Sequence, residues 1–302
     1  MNEGGTKNHI SQKDYVIYGD TDSVYVGIND FCIEHFGKEF WEKRDTNEKI
    51  QIIDKLSDEI KDYINKKIFE DVQCGVYNSV TDDFQITFKK EKIAISGLFV
   101  TKKKYSTKAL WTEGSFGENI STKGLDIVRS DSSEIVREKL KDIMSMILSG
   151  EPDDKISLKI QEHKKYLEKN TSPEEIAANI GVNGINKYIV NGKSTKGTPW
   201  HIKGVANYRF LLKDLKIKNK YEDIYESIKA KVVYIKDNKY NMETVTFHKW
   251  PKEFENIIDI DREKMIYKFF TKKVEMLLDP IGKKSLLDNF KSKKVINLFF
   301  GK

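Results

Sequence analysis

Two aspartates near the start of the chain, Asp20 and Asp22, have the clearest capacity for chemistry. They belong to the run Tyr18-Gly19-Asp20-Thr21-Asp22-Ser23. Two carboxylates that converge on one point repel each other, and a hard divalent cation such as Mg²⁺ removes that repulsion through oxygen ligands. The alternative is a solvated hairpin turn, because Asp and Gly are ordinary turn residues. The residues that flank the run favour the metal-binding interpretation.

These flanking residues predict the element that positions both carboxylates. Apolar residues alternate in Tyr15-Val16-Ile17 before the run and in Val24-Tyr25-Val26 after it. Period-two alternation on both sides of a Gly- and Asp-containing centre is typical of a β-hairpin. We therefore expect residues 14–30 to form a hairpin whose tip carries Asp20 and Asp22.

The six-residue run resembles motif C, the third catalytic motif of family B DNA polymerases. The resemblance implies an α+β fold in which a palm hairpin holds the principal metal-binding aspartate, here Asp22, assisted by Asp20. The implied activity is template-directed nucleotidyl transfer to a primer 3′-hydroxyl with two Mg²⁺ ions. One ion lowers the pKa of the hydroxyl, and the other clamps the triphosphate. The implied substrates are primer-template DNA and deoxynucleoside triphosphates.

Two later segments resemble further motifs of that family, in the family's order. Thr101-Lys102-Lys103-Lys104-Tyr105 resembles the Lys-Lys-Arg-Tyr motif that holds the primer terminus. Lys104 replaces the arginine and lacks its planar bidentate fork. An exposed basic strand end would have the same composition. Residues 121–130 resemble the Lys-x-Gly segment between palm and thumb, which adds Lys123 and Gly124 to the expected primer/template contacts.

Glu91 lies in Phe88-Lys89-Lys90-Glu91-Lys92-Ile93. This segment resembles the part of the family that carries a glutamate near the metals, which implies an auxiliary acid. A surface charge among lysines explains the same pattern equally well.

A basic stretch in the second half of the chain favours a nucleic-acid contact. Residues 181–220 contain eight lysines and one arginine against a single acid, interleaved with aromatic residues. Such a pattern is typical of a phosphate-backbone surface, although a solvated lysine-rich face is the alternative. The block Pro199 to Val205 resembles the His-Ile-(Arg/Lys)-Gly-Val block of tailed-phage replicative polymerases. The expected DNA contacts are Lys187, Tyr188, His201, Lys203 and Arg209.

Length and composition are compatible with this interpretation but do not indicate it by themselves. The chain has 302 residues, of which 38% are hydrophobic and 33% charged, with a net charge of +6. This indicates about two domains and slightly favours a polyanionic partner. Cys32 and Cys74 lack metal-ligand spacing and predict free thiols. The sequence has neither a signal-peptide pattern nor an apolar run of membrane-spanning length, so we expect a cytoplasmic location, in a host cell if the chain is phage-encoded.

The periodicity predicts the domain organisation. We expect a flexible lead-in over 1–13, the C-terminal part of a palm over 14–124, a mainly helical thumb over 125–290 and a tail over 291–302. The predicted elements are a long amphipathic helix over Asn47–Val72, a capped helix from Ser133 to Gly150, strands over Ala230–Ile235 and Thr244–Phe247, and an irregular loop over Asn179–Thr198.

Other motifs of the resembled family do not occur in this sequence. Motif A, the fingers helix and the exonuclease domain would precede motif C, so the resemblance covers the C-terminal third of a typical member. We expect a split polymerase that is inactive without an N-terminal partner supplying these parts and sharing both metal ions. A truncated reading frame and a non-catalytic duplex-binding module are the alternatives.

The last residues resemble a clamp-binding peptide. Leu298, Phe299 and Phe300 follow a basic stretch, and an aromatic pair on a free chain end can enter an apolar pocket of another protein. The resemblance is to the C-terminal peptide by which tailed-phage polymerases hold their sliding clamp. Residues 286–290 are an alternative docking cluster, and packing onto the thumb is the structural alternative.

Overall fold

The computed structural model describes residues 15–77, 87–125, 127 and 131–287, and it shows an α+β protein, which confirms the expected fold class. Contacts divide the chain into two compact units. The first contains residues 1–97 and 107–121, and the second contains residues 98–106 and 122–302. Residues 98–106, which the sequence assigned to the palm, therefore belong to the second unit.

The first unit begins with the predicted hairpin. Strands β1 (Val16–Asp20) and β2 (Ser23–Val26) pair antiparallel, with an irregular register between Val16 and Tyr18. The hairpin is shorter than the predicted range of 14–30, because helix α1 (Ile28–Phe36) already starts at Ile28. Helix α2 (Lys38–Glu42) follows directly.

The long predicted helix is also present in the first unit. Helix α3 (Thr46–Lys67) continues as a wider π-helical segment, Ile68–Cys74, which confirms the amphipathic pattern. Asp45 caps its start: the Glu48 amide donates to the Asp45 carboxylate at 2.9 Å, and the Glu48 side chain accepts from the Asp45 amide at 3.2 Å. This reciprocal box satisfies two amides that have no partner inside the helix.

A three-stranded sheet contributes residues to both units. Its strands are β3 (Lys92–Thr101), β4 (Lys104–Thr112) and β5 (Ser115–Lys123), in that order. The two-residue turns Lys102-Lys103 and Glu113-Gly114 connect them, and turns this short join only antiparallel neighbours. In the first unit, Ile93 and Trp111 of this sheet form a small buried cluster with Ile50 of α3.

The second unit starts with two amphipathic helices, α4 (Glu134–Leu148) and α5 (Asp153–Lys169). The Ser133 hydroxyl accepts from the Val136 amide at 3.4 Å and caps α4, as predicted. The remaining α-helices and strands are α6 (Pro173–Ile176), β6 (Ala178–Val182), α7 (Ile185–Tyr188), β7 (Ile189–Val190), β8 (Lys193–Ser194), α8 (Trp200–Asp214), β9 (Ile228–Tyr234), β10 (Thr244–Phe247), α9 (Arg262–Ile266) and α10 (Lys272–Leu278).

A second three-stranded sheet, in the order β10-β9-β6, organises the second unit. Both pairings are antiparallel and regular, and β9 and β10 confirm the two predicted strands. The expected irregular loop over Asn179–Thr198 is wrong in part, because α7, β7 and β8 lie within it and Asn179 to Val182 lie in β6. Backbone pairing with β9 fixes this strand although its Gly and Asn residues have low intrinsic strand preference.

Helix α8 packs on β10 at a close approach of the two backbones. A Cβ added at Gly204 would lie 2.3 Å from the Thr246 hydroxyl oxygen and 2.8 Å from the Thr246 amide nitrogen. Only glycine permits this spacing without displacement of the strand. The hydroxyls of Thr244 and Thr246 also donate to the carbonyls of Trp200 and His201, at 2.8 and 2.6 Å.

Three further observations complete the description. Cys32 is buried and Cys74 half-buried, and both are free thiols. Within the described ranges, no helix combines the length and the apolar composition that a membrane span requires. The predicted lead-in over 1–13 and the predicted clamp-binding residues Leu298, Phe299 and Phe300 lie outside the described residues.

Candidate functional site

The hairpin turn holds both candidate metal ligands. Asp20 is the last residue of β1 and is half-buried, whereas Asp22 lies in the turn and is exposed. The Asp22 amide donates to the Asp20 carbonyl at 2.7 Å. The Thr21 hydroxyl donates to the Asp20 carboxylate at 3.2 Å, and the Ser23 hydroxyl donates to the Asp20 carbonyl at the same distance. The turn therefore fixes the backbone between the two carboxylates over three residues.

Thr21 gives this turn an unusual backbone conformation. Its φ is +54°, a value that is rare for a β-branched residue. Such a conformation costs on the order of 1–3 kcal/mol and persists only where the surrounding structure enforces it. The hydrogen bonds on either side of Thr21 provide that enforcement, and the result is an exposed Asp22 carboxylate beside a more enclosed Asp20.

The donor set of this turn fits a hard cation such as Mg²⁺. Mg²⁺ prefers oxygen ligands and commonly uses one or two protein carboxylates, with water and substrate phosphates completing its octahedron. Asp20 and Asp22 supply that number. No group of three His, Cys, Asp or Glu residues with metal-binding geometry occurs among the described residues. The turn is therefore suited to be a part of a metal site that substrate or another polypeptide completes.

Glu91, the expected auxiliary acid, also lies in the first unit. It is exposed and immediately precedes β3, and its carbonyl accepts from the Glu113 amide at 2.9 Å. That bond holds the backbone of Glu91 against the turn after β4 and leaves the side chain to solvent. Its neighbour Lys90 is instead half-buried, pairs with Asp54 and lies 4.7 Å above the ring of Trp111. The auxiliary role of Glu91 remains a prediction.

The predicted primer-terminus segment forms a β-turn between β3 and β4. Lys102 and Lys103 are the two exposed turn residues, and Lys103 has a φ of +63°. Lys104 and Tyr105 begin β4. The Tyr105 ring is buried and stacks on Phe99, with ring centroids 5.5 Å apart and planes inclined by 26°. The lysines are thus presented at a tip that the stacked rings support.

Two segments that the sequence separates by about twenty residues meet at this tip. Gly124 has a φ of +65°, and a Cβ built on it would lie 2.0 Å from the carbonyl oxygen of Lys103. The backbone of Gly124 therefore lies directly against the lysine turn. Beside it, the hydroxyls of Ser106 and Thr122 lie 2.9 Å apart, and the exposed Lys123 ends β5. The structure brings the two predicted DNA-contact segments together.

The residues of α7 and α8 that were predicted to contact DNA lie in different environments. Lys187 is exposed, with its ammonium 5.1 Å from the centre of the Tyr188 ring. Lys203 is exposed on α8. His201 is half-buried, and burial lowers the pKa of its imidazole. The His201 Nδ1 atom is buried without a hydrogen-bond partner among the described residues. A neutral ring with an unsatisfied nitrogen suits a hydrogen bond to a ligand or to water.

Arg209 has internal partners. Its Nε donates to the Asp223 carboxylate at 2.8 Å, and its Nη2 donates to the Ile224 carbonyl at 2.8 Å. The Asp223 carboxylate also accepts from the Ile224 amide at 2.8 Å. These bonds fix the segment that leads into β9, so Arg209 has a visible structural role, and its contact with DNA remains a prediction.

One basic and aromatic cluster was missed by sequence reasoning. The rings of Trp200 and Tyr234 stack with centroids 4.7 Å apart and planes inclined by 3°. The ammonium groups of Lys264 and Lys268 lie 4.5 and 4.7 Å from the centre of the Tyr234 ring. Cation–π contacts of this kind depend on the packing of α8 and β9 with α9 and the π-helical segment Tyr267–Thr271 that follows it. No spacing in the sequence could have shown that packing.

Comparisons with known proteins agree with these motifs. The family model for DNA polymerase family B matches residues 5–281. The DNA-directed DNA polymerase of Escherichia phage RB69 is 27% identical over 209 residues, which is 66% of this chain and 22% of the relative. The corresponding polymerase of Enterobacteria phage T4 is 27% identical over 220 residues, with the same two shares. The DNA polymerase alpha catalytic subunit of Xenopus laevis is 29% identical over 187 residues, 60% of this chain and 10% of the relative. The chain thus spans less than a quarter of each relative.

Proposed function

The chain belongs to DNA polymerase family B, and from this premise we propose that it is a C-terminal part of a DNA-directed DNA polymerase. The proposed reaction joins deoxynucleoside triphosphates to a primer 3′-hydroxyl under the direction of a template. The single observation that carries this proposal is the strained turn that presents Asp22 beside Asp20. The names of the relatives describe the same class of activity.

In the proposed mechanism, the two aspartates would hold the metal, and separate basic segments of the chain would contact DNA. Asp22 would be the principal ligand of Mg²⁺ and Asp20 would assist it, as the resemblance of this turn to motif C implies. When bound, Mg²⁺ lowers the pKa of a coordinated hydroxyl and neutralises phosphate charge. Thr21 and Ser23 orient Asp20 through their hydroxyls. Glu91 is proposed as an auxiliary acid.

The second unit supplies the proposed contacts with the primer-template duplex. Lysines contact phosphates as point charges, which positions a duplex without reading its sequence. The lysine turn that Gly124 supports, together with exposed lysines near α7 and α8, is suited to this role. The proposed contact residues are Lys102, Lys103, Lys104, Tyr105, Lys123, Gly124, Lys187, Tyr188, His201, Lys203 and Arg209.

We propose that activity requires a polypeptide segment that contains motif A and the fingers helix. Two carboxylates in one turn can hold only part of a two-metal site, so further ligands must come from elsewhere. In this proposal, the missing segment supplies them and shares both Mg²⁺ ions. A sliding clamp is a further proposed partner, on the resemblance of Leu298, Phe299 and Phe300 alone.

A primer-extension assay tests this proposal. The chain alone, with Mg²⁺, should extend no primer, and extension should appear after addition of the segment with motif A and the fingers helix. In that complex, Asp22→Ala should lower the rate by about 10²–10³-fold or more, because an interaction with transition-state charge is lost. Asp20→Ala should have a smaller effect.

The control is Asp62→Ala, which removes an exposed acid from α3 of the same unit. Its extension rate should stay within about twofold of the parent rate, as expected for a surface change away from the reaction. Circular dichroism should show the same helix content for all three variants. Unchanged extension by folded Asp22→Ala would contradict the catalytic proposal and favour a duplex-binding module.

A further inference from the structure

A basic pocket lies in the second unit, and none of its lining residues is among those proposed above for catalysis or DNA contact. Its volume is about 310 Å³. Since one water molecule takes about 30 Å³ in the liquid, the pocket has room for a small ligand and several waters. Its lining residues are Arg137, Asn179, Lys229, Ala230, Lys231 and His248.

The lining of this pocket contains cations and one amide but no carboxylate. Arg137 comes from α4, Asn179 from β6, Lys229 and Lys231 from β9, and His248 follows β10. Asn179 and Lys231 are cross-strand partners, so their side chains lie on the same face of the sheet. Two strands, a helix and the residue after β10 therefore contribute donors and positive charge to one concave space.

Arg137 provides an independent sign of a missing partner. Its Nε atom is buried, and it has no hydrogen-bond partner in the part of the chain that the structure describes. A buried donor without a partner costs on the order of 1–3 kcal/mol. Guanidinium groups form planar, two-pronged hydrogen bonds with phosphates and carboxylates, so Arg137 is chemically suited to an oxyanion in the pocket that it lines.

Two of the lining cations, Arg137 and Lys231, are not neutralised by an acid in direct contact among the described residues. Neither Arg137 nor Lys231 has an ion pair within 4 Å among the described residues. Glu175 is close enough to Lys231 for the lysine charge to affect the pKa of its carboxyl group. Hydrogen bonds from the amide and hydroxyl of Ser172 lower the pKa of Glu175, and Arg262 and Lys231 lower it further by smaller amounts. Its carboxylate accepts from the Ser172 amide at 2.7 Å, which fixes it at the start of α6.

Strand geometry separates the pocket from α8. Side chains alternate along β9, so Lys229 and Lys231 lie on one face of the sheet and Tyr234 lies on the other. Tyr234 stacks on Trp200, the first residue of α8. The pocket therefore opens on the face opposite to the helix that carries His201 and Lys203.

From the size, the charge and the unsatisfied arginine, we propose that this pocket binds a phosphate group. Arg137 and Lys231 neutralise its charge, and the Asn179 amide and the His248 ring donate hydrogen bonds. The phosphate comes either from a free anion or from a nucleic-acid strand that passes over the β9 face. Both sources present the same tetrahedral oxyanion, and the two arms of the experiment distinguish them.

The first arm titrates the full chain with inorganic phosphate in a calorimeter, at constant ionic strength and with EDTA present. EDTA excludes binding through Mg²⁺ at the aspartate turn. Arg137→Gln and Lys231→Gln should each weaken phosphate binding at least about tenfold, because each removes a charge-assisted hydrogen bond. The matched control is Lys236→Gln, an exposed lysine just beyond the end of β9 and outside the pocket, which should change the affinity less than about twofold.

The second arm measures binding of a labelled DNA duplex over a range of salt concentrations. Loss of one phosphate contact should lower the slope of log affinity against log salt by about one. A pocket-specific loss in the first arm alone identifies a free anion, and a loss in the second arm identifies a DNA phosphate. Unchanged affinities of folded Lys231→Gln in both arms would overturn the proposal. If Arg137→Gln does not fold, His248→Gln takes its place.

Discussion

The first unit leaves many apolar side chains in water, whereas the second encloses most of its own. In the hairpin, Ile17 is 59% exposed, and Val16, Val24 and Val26 are exposed beside it. At the far end of α3, Tyr63 is 65% exposed. In the second unit, Leu140 of α4 is fully buried, and the same is true of Ile160, Phe247, Phe254 and Phe270. The two units differ in how completely they cover their apolar surface.

This difference shows which unit can be stable without another polypeptide. Burial of apolar area is the main favourable contribution to folding, and exposed apolar patches usually mark an interface. The second unit has two layers around its β10-β9-β6 sheet, with α8 on one face. In the first unit, the hairpin is a sheet of only two strands among the described residues. We therefore predict that the first unit depends on a partner and that the second does not.

The largest expected effect comes from a matched pair of truncations in the two units. Leu140→Ala should lower the free energy of unfolding by about 3–5 kcal/mol, because it leaves a cavity in a closed core. Ile17→Ala should lower it by less than about 0.5 kcal/mol, because the side chain is already largely in water. Urea denaturation, followed by circular dichroism, measures both. A similar cost for the two variants would remove the distinction between the units.

The second prediction compares two glycines with positive φ. Gly114 (φ +89°) has no atom within 4 Å of an added Cβ, whereas Gly124 (φ +65°) would place its Cβ 2.0 Å from the Lys103 carbonyl oxygen. Gly114→Ala should cost about 1 kcal/mol from backbone strain alone. Gly124→Ala adds overpacking, for a total of about 3 kcal/mol. Thermal melting measures both, and equal costs would contradict the close approach of the two segments.

Local patterns predicted the hairpin, α3, α4, β9 and β10, and tertiary pairing explains why β6 was not among them. The periodicity of residues 47–72 was sufficient to predict α3, and the Ser133 cap was sufficient to predict the start of α4, because both signals act within a few turns of helix. β6 was missed, because Asn179 and Gly181 acquire strand structure only from their partners on β9. The same limit applies to function. Asp20 and Asp22 lie two residues apart in the sequence and could be predicted, whereas Arg137 and Lys231 are brought together only by the fold.

The third prediction separates structural from DNA-binding cations within the second unit. Arg209→Ala should lower the free energy of unfolding by about 2 kcal/mol, because Asp223 and the Ile224 carbonyl lose a charged partner. Lys203→Ala should leave stability within about 0.5 kcal/mol and lower the salt slope of duplex binding by about one. Denaturation and fluorescence anisotropy measure the two quantities. A stability loss for Lys203→Ala as large as that for Arg209→Ala would contradict the assignment.

The smallest expected effect is a pH dependence that only a closed core can produce. His163 is buried in α5, its Nε2 lies 2.7 Å from the Asp142 carboxylate, and its ring meets Phe270 edge to face. Burial lowers the pKa of His163, although Asp142 opposes that shift. The unfolded imidazole therefore takes up a proton before the folded one. The contribution of His163 to the free energy of unfolding should be fully present above pH 6.5. It should decrease as the pH falls from there towards the lowered pKa, by at most about 1.4 kcal/mol per pH unit.

Urea denaturation between pH 7.5 and 5 measures this slope. His163→Gln should remove the part of this slope that His163 contributes. Asp142→Asn should lower the pKa of His163 further, so the decrease in the free energy of unfolding should continue to lower pH. An unchanged slope in His163→Gln would show that this core does not exclude the charged ring.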